Sequence, residues 1–186
     1  MIYYKWLESP LGAVLMTADA RSLTGLYLQG QKYFPQLSQD WQETKTLTLF
    51  EQTQTQLAEY FAHQRQQFDL PLDPPGTAFQ KRVWQQLCKI PYGETISYGT
   101  LAQRLDKPTA SRAVGAANGK NPISIIVPCH RVVATNGLLT GYAGGLDRKQ
   151  WLLQHEQVQE SSDRLKIIQH SLELFDEKNS LMLHKI

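Results

Sequence analysis

Apolar and polar positions alternate with period two at the start of the chain and shift to a helical period near residue 49. Ile2, Tyr4 and Trp6 alternate with more polar neighbours. The run Gly12 to Thr17 and the apolar, aromatic-rich run Leu23 to Leu28 also read as strands, with Ser9-Pro10 and Ala20-Arg21 as the breaks. Connections this short predict antiparallel hairpins. From Leu49 onward, Phe50, Leu57 and Phe61 recur at helical spacing with Gln and Glu between them. The prediction is a small three-stranded sheet with one helix packed on it. Residues 69–76 then hold three prolines and a glycine in eight positions, which continues neither period and reads as a linker.

Helical spacing dominates the middle of the chain. Thr77 is placed to cap a helix carrying Phe79, Val83 and Leu87 on one face, ended by Pro91-Tyr-Gly93. Ser97 can cap a second helix through Leu105. After the break Lys107-Pro-Thr109, a third helix from Ser111 to Asn118 is built of small residues, with Arg112 near its start. Two helices across a short break, the second small-sided, make a helix-turn-helix pattern. Ile123 to Val127 is a continuous apolar run that predicts a buried strand leading into Pro128-Cys-His-Arg131. Asn136-Gly137 marks a tight turn and Gly141-Tyr-Ala-Gly-Gly145 a flexible loop. Asp147 opens a last helix to Glu156. Beyond it, Leu165, Ile168, Leu172 and Phe175 have heptad spacing, which predicts a helix docked on its own protein.

Composition narrows the class. Of 186 residues, 41% are hydrophobic and 19% charged, a folded rather than a disordered balance. No run approaches the roughly 18 apolar residues of a membrane helix, and MIYYKWLESP carries no signal-peptide core. Two cysteines, Cys88 and Cys129, make neither a disulfide framework nor an all-thiolate zinc site, so a reducing, intracellular setting is expected. Charge is uneven. Residues 1–76 hold five Lys/Arg against eight Asp/Glu, residues 77–156 ten against four, and residues 157–186 four against five. A positive middle between acidic flanks fits a polyanion, and regularly spaced phosphates are the obvious one, although a solvated basic surface looks the same.

One short stretch could carry chemistry. A thiol works as a thiolate, and its ordinary pKa of about 8.5 demands a proton acceptor or a positive field nearby. His130 and Arg131 follow Cys129 directly and could supply both. The plainer reading of Cys129 is a small buried hydrophobe at a strand end. Cys88, beside the apolar face of the Phe79–Leu87 helix, is expected to be core packing. A carboxylate behind the histidine would stabilise the imidazolium, and Glu156 and Asp147 are both placed on the last helix to do so.

The run Asn121-Pro-Ile-Ser-Ile-Ile-Val-Pro-Cys-His-Arg-Val132 closely resembles the active-site signature of the O6-alkylguanine-DNA alkyltransferases, the methylated-DNA–protein-cysteine methyltransferases. Ile90-Pro-Tyr-Gly-Glu-Thr-Ile-Ser-Tyr98, Ser111-Arg-Ala-Val-Gly115, Gly141-Tyr-Ala-Gly-Gly145 and Trp151-Leu-Leu-Gln-His-Glu156 resemble further blocks of that family, in the same order. The resemblance implies an α+β fold in two domains. Residues 1–72 would form an RNase H-like domain, a three-stranded antiparallel sheet with one helix. Residues 77–156 would form a winged helix-turn-helix-like domain carrying the active site, followed by a helical extension over 157–186.

It also implies roles, residue by residue. Cys129 matches the thiol that takes the alkyl group from guanine O6, once and irreversibly. His130 matches the residue that deprotonates it through a bound water, and Glu156 the carboxylate that orients the histidine. Tyr98 matches the phenol that gives a proton to guanine N3. Asn121 matches the asparagine tying the helix-turn-helix to the active-site turn, and Arg112 the finger filling the gap left by a flipped nucleotide. Ser111, Ala113, Gly115, Ala116, Tyr98 and Arg131 would meet DNA in the minor groove, where small side chains permit close approach. Val132, Ser124, Tyr142 and Ala143 would line the substrate pocket. The implied partner is double-stranded DNA with alkylated bases, engaged by a monomer that needs no metal or cofactor. The implied location is the cytoplasm, at the nucleoid in a bacterium, or the nucleus in a eukaryote.

Two departures bear on the pocket. Ser124 stands where some members have a second proline, and Ala143 where others have serine, so larger alkyl groups or O4-alkylthymine are expected to be tolerated. With no cysteine before Cys88, the N-terminal zinc site and the metal-bound phosphotriester-repair domain of some members are not expected. Three rival readings differ in class: a non-catalytic alkyltransferase-like lesion binder, a winged-helix transcription regulator, and a cysteine hydrolase. The first lacks the thiol, the second leaves Pro128-Cys-His-Arg131 unexplained, and the third has no need of a basic helix pair.

Overall fold

The computed structural model describes residues 1–156. The helix expected over 157–186 lies outside the described residues. Strands β1 (Ile2–Leu7), β2 (Val14–Ala18) and β3 (Leu23–Leu28) form the expected antiparallel hairpins, with Tyr3 opposite Ala18 and Leu15 opposite Tyr27. Every residue of β2 is buried, because the central strand is covered on both faces.

The sheet has four strands rather than three, in the order β3-β2-β1-β4. The added strand, β4 (Trp41–Glu43), pairs in parallel with β1. Three residues, two of them exposed and polar, offer no alternation to read. Helix α1 (Thr48–Phe61) comes next and buries Leu49, Phe50, Thr53, Leu57 and Tyr60. The proline-rich segment then returns to the sheet: Leu23 N donates to the Pro71 carbonyl at 2.8 Å, and Asp73 N to the Leu23 carbonyl at 3.0 Å. Proline lacks only a donor, so its carbonyl serves here without loss.

Helix α2 (Ala78–Leu87) starts on a full capping box: Thr77 Oγ1 accepts from Gln80 N at 3.2 Å and Gln80 Oε1 from Thr77 N at 2.8 Å. A two-residue strand, β5 (Ile96–Ser97), leads into α3 (Tyr98–Arg104), and Ser97 caps that helix through Thr100 N. Helix α4 (Ser111–Gly119) packs beside it, tied to α2 where Trp84 Nε1 donates to the Ala117 carbonyl at 2.9 Å. β6 (Val132–Val133) pairs in parallel with β5, and α5 (Leu146–His155) ends with Glu156 as its cap.

Two expectations are corrected. Residues 123–127 are buried, but they form a turn and not a strand: only Ile123 bridges to Leu26, and Ile125 sits at φ 71° with 1% exposure. A continuous apolar run reports burial and leaves the conformation open. Cys88 is exposed at the C-cap of α2, one position past the buried Leu87, so it does not pack in the core.

One apolar core runs through both halves, from Val14 and Leu28 of the sheet to Leu101, Val114 and Leu152 of the helices. β3 also carries the segment that leads into the cysteine. Leu26 N donates to the Pro122 carbonyl at 2.8 Å, and Leu26 O accepts from Ser124 N at 2.9 Å.

Candidate active site

The turn after Ile123 delivers Cys129, His130 and Arg131 on a single 3₁₀ turn, all three buried. Cys129 is 3% exposed. Burial pushes its thiol above the ordinary value, while a hydrogen bond from Asn121 and the nearby Lys149 work the other way. Asn121 Nδ2 lies 3.0 Å from Cys129 Sγ and also donates to the Val127 carbonyl at 2.8 Å. Its Oδ1 accepts from Ile123 N at 3.0 Å, which fixes the amide with its donors toward the sulfur. The Asn121 side chain therefore ties the turn together and also presents a donor to the sulfur where thiolate charge would develop.

His130 is fully buried, and burial lowers its pKa, so the ring is neutral. Nε2 lies 2.8 Å from Glu156 Oε1; a carboxylate can only accept, so Nε2 carries the proton and Nδ1 is the basic nitrogen. Nδ1 has no hydrogen-bond partner among the described residues.

Glu156 collects donors from every side. Oε1 accepts from Tyr60 OH at 2.8 Å and from Arg131 Nη2 at 3.0 Å; Oε2 accepts from Arg131 Nε at 2.8 Å. Gly93, at φ 78° in the turn after Pro91, points its N–H at Oε2 from 3.4 Å. Burial opposes the charge on Glu156, but the hydrogen bonds from His130 and Arg131 and the positive charge of Arg131 outweigh it and hold the carboxyl well below the usual range. The result is a carboxylate–imidazole pair in a dry setting, one sequence position from a thiol.

Tyr98 opens α3 and reaches the loop after β6, donating to the Thr140 carbonyl at 3.1 Å, with the Gly141 carbonyl 3.3 Å away. The Tyr98 ring lies beside Gly115 of α4, where an added Cβ would stand 3.6 Å from it, at ordinary contact distance. The Thr140 carbonyl also accepts from Lys149 Nζ at 2.7 Å, and Val132 O accepts from the same ammonium at 2.6 Å. Lys149 is fully buried, and burial pulls its pKa down to about 8. On α4, Arg112, Ala113 and Ala116 are exposed, while Val114, Ala117 and Asn118 face inward. Among the described residues no group of three or more His, Cys, Asp or Glu side chains is placed to hold a metal ion.

Comparison with known proteins decides what this arrangement belongs to. Residues 2–74 match the family described as 6-O-methylguanine DNA methyltransferase, ribonuclease-like domain, and residues 78–158 match the DNA binding domain of the same description. A methylated-DNA–protein-cysteine methyltransferase of Methanosarcina barkeri is 48% identical over 157 residues, 84% of this chain and 98% of that protein. The protein of the same name from Mycobacterium tuberculosis is 46% identical over 163 residues, 88% of this chain and 97% of the other. The chain belongs to the methylated-DNA–protein-cysteine methyltransferase family.

The crystal structure of the M. tuberculosis O6-methylguanine methyltransferase superposes with a TM-score of 0.78 at 44% identity, covering 90% of this chain and 99% of that one. The crystal structure of that protein in complex with DNA gives the same TM-score at 43% identity, covering 87% and 96%. As a member of this family, the chain is an alkyl-transferring DNA-repair enzyme with an α+β fold.

Within this methyltransferase framework, most residues named from the sequence converge. Cys129, His130, Asn121 and Glu156 meet in the buried centre, Tyr98 and Tyr142 lie on its loop side, and the Ala143 carbonyl is taken by Lys32 N. Of the two carboxylates on the last helix, Glu156 is the one at the histidine. Arg131 is corrected: it is 5% exposed, bound to Glu156 and to the Ile90 carbonyl, and does not face DNA. Ser124 is 1% exposed, as buried as Val132, and its hydroxyl donates to Gln31 Oε1 at 3.2 Å, which ties the turn to the segment after β3.

Residue order does not single out Tyr60, Gly93 or Lys149. Tyr60 has a readable signal, since a tyrosine on the apolar face of α1 must find a partner for its hydroxyl. Lys149 has none, because a lysine on a polar-looking helix normally reads as solvated.

Proposed function

We propose that Cys129 accepts the alkyl group of O6-alkylguanine from duplex DNA in one irreversible displacement. The observation that carries this is the buried Cys129–His130–Glu156 arrangement, with a neutral imidazole whose protonated nitrogen is held by the carboxylate. His130 Nδ1 takes the thiol proton through one bridging water. The Sγ lone pair then forms the bond to the alkyl carbon as the carbon–O6 bond breaks, and Tyr98 OH supplies a proton to guanine N3, so the base leaves neutral. Asn121 Nδ2 holds the developing charge on sulfur. A thioether is a poor leaving group, so each molecule reacts once.

The lesion must leave the stack to reach a thiol this deeply buried. Arg112 enters the duplex and occupies the space of the flipped nucleotide, while Ser111, Ala113, Gly115 and Ala116 allow α4 close to the minor groove. Val132, Tyr142 and Ala143 bound the base. O4-alkylthymine is a secondary substrate, and the small Ala143 side chain leaves room for larger alkyl groups. The domain limits 1–72 and 77–156 divide the scaffold from the DNA-binding half, and the protein works as a monomer without metal or cofactor. No described helix is long and apolar enough to cross a membrane; a DNA partner and two free cysteines support a cytoplasmic place at the nucleoid in a bacterium, or a nuclear one in a eukaryote.

The relatives that match over nearly their whole length are named methyltransferases, which sets aside a purely lesion-binding role. The test compares wild type with Cys129→Ala on duplex DNA containing O6-methylguanine. Wild type is expected to remove one methyl group per molecule and the variant none, with DNA binding retained. Removal by the variant would overturn the assignment.

A further inference from the structure

Outside the buried centre, two cations converge on one exposed ring. Lys32 Nζ lies 5.1 Å from the centroid of the Tyr33 ring and Lys120 Nζ 6.0 Å from it. Tyr33 is 53% exposed. Among the described residues neither ammonium is ion-paired. Two like charges gathered around one exposed ring, neither of them ion-paired among the described residues, make a basic patch suited to an anion.

The turn that presents Tyr33 is built to hold it outward. Tyr33 sits at φ 62°, a left-handed conformation that a bulky side chain adopts only when its surroundings impose it. The neighbours do so. Lys32 N donates to the Ala143 carbonyl at 2.8 Å, Gln31 N to Leu28 O at 3.0 Å, and Phe34 stacks on Trp6 with centroids 5.9 Å apart. The ring is thus fixed between the active-site loop and the end of α4.

Lys120 joins this turn to the helix that carries Arg112. It is the C-cap of α4, and Arg112, Ala116 and Lys120 follow at intervals of four, so they share one face, and all three are exposed. Eight residues of helix span about 12 Å, so Lys120 stands well apart from Arg112 along the same face.

We propose that Lys32, Tyr33 and Lys120 form a second grip on the DNA backbone, through which the N-terminal sheet layer binds a phosphate of the duplex that α4 enters. The two ammonium groups neutralise the phosphate, and the Tyr33 hydroxyl is free to donate to it. The contact reads no base and suits any flanking sequence. The proposal rests on the reading of α4 as the DNA-facing helix.

The experiment measures binding of an undamaged duplex by fluorescence anisotropy from about 50 to about 200 mM salt. Wild type is compared with Lys32→Ala, Lys120→Ala, the double variant and Arg112→Ala, and transfer from free O6-benzylguanine base is followed alongside. The double variant is expected to lower the salt slope by about one with roughly tenfold weaker binding, and each single variant by less. Transfer from the free base should not change. A double variant with wild-type affinity and slope overturns the second grip; if Arg112→Ala still weakens binding, the reading of α4 stands, and if it does not, both fall. The pair Lys32→Arg and Lys120→Arg keeps both charges and should keep the slope. A loss there equal to that of the alanine pair assigns the effect to altered structure and also overturns the proposal.

Discussion

Tyr60 of α1 and His130 of the 3₁₀ turn donate to the same oxygen of Glu156, each at 2.8 Å. The first comes from the part that carries the sheet, the second stands beside the reactive thiol. His155, the residue before Glu156, adds a bond between its Nε2 and the Tyr60 carbonyl at 2.9 Å. The sheet layer and α1 are therefore part of the proposed catalytic architecture, since they hold the carboxylate that holds the histidine.

Tyr60→Phe removes one donor to a buried carboxylate and leaves the ring packing in place. A hydrogen bond to a charged group contributes about 1.5–3 kcal/mol, so the urea midpoint is expected to fall by a corresponding amount. Single-turnover transfer should slow severalfold, because the imidazole loses a constraint on its partner. Unchanged stability and rate would show that Tyr60 merely fills space.

The pH dependence of transfer follows from the neutral state of His130. Burial lowers its pKa, so protonation, which would disable it as a base, sets in below the ordinary histidine value of about 6.5. The wild-type rate is expected to stay level between about pH 7 and 8 and to fall only on the acid side of that value. In His130→Ala the thiol must ionise alone, and burial holds it up. The rate should then rise about tenfold per pH unit over the same range, as thiolate becomes available. A level profile in the variant would remove His130 from the proton path.

Much of this can be read from residue order. The capping signals at Thr77 and Ser97, the helical period of Leu57 and Val83, and the tight Pro128–Arg131 block locate the elements and the thiol. The turn at 123–127 is not legible, because its residues are largely apolar and φ 71° at Ile125 depends on the Leu26 and Asn121 bonds that close it. Arg131 misleads for a related reason. An arginine beside a nucleophile in a basic segment reads as a phosphate contact, and only the fold shows its guanidinium turned inward to Glu156. At Ser124 a proline would delete the N–H that donates to Leu26 O, so Ser124→Pro would probe stability before it probed pocket width.

Lys149 yields a prediction of opposite sign to the usual ion-paired lysine. Its pKa is about 8 in the folded chain against an ordinary 10.5. Between those values the unfolded chain holds a proton that the folded one has released, so this group makes stability rise with pH across that window. Below about pH 8 both states hold the proton and the burial cost stands in full. Lys149→Met should abolish the rise. It also leaves the Val132 and Thr140 carbonyls without their donor, which costs about 2 kcal/mol at pH 7, and frees the carbonyl that anchors Tyr98, so transfer slows. Urea midpoints for both proteins at pH 7 and pH 9 check this. An equal rise in the two would contradict the placement of the ammonium.

The most direct test of the central claim is to mix the protein with duplex DNA containing O6-methylguanine and measure intact and peptide masses. The structure predicts one added methyl group per molecule, located on the peptide that contains Cys129, with the exposed Cys88 unmodified. A methyl group on Cys88, or no gain of mass from a bound lesion, would contradict it.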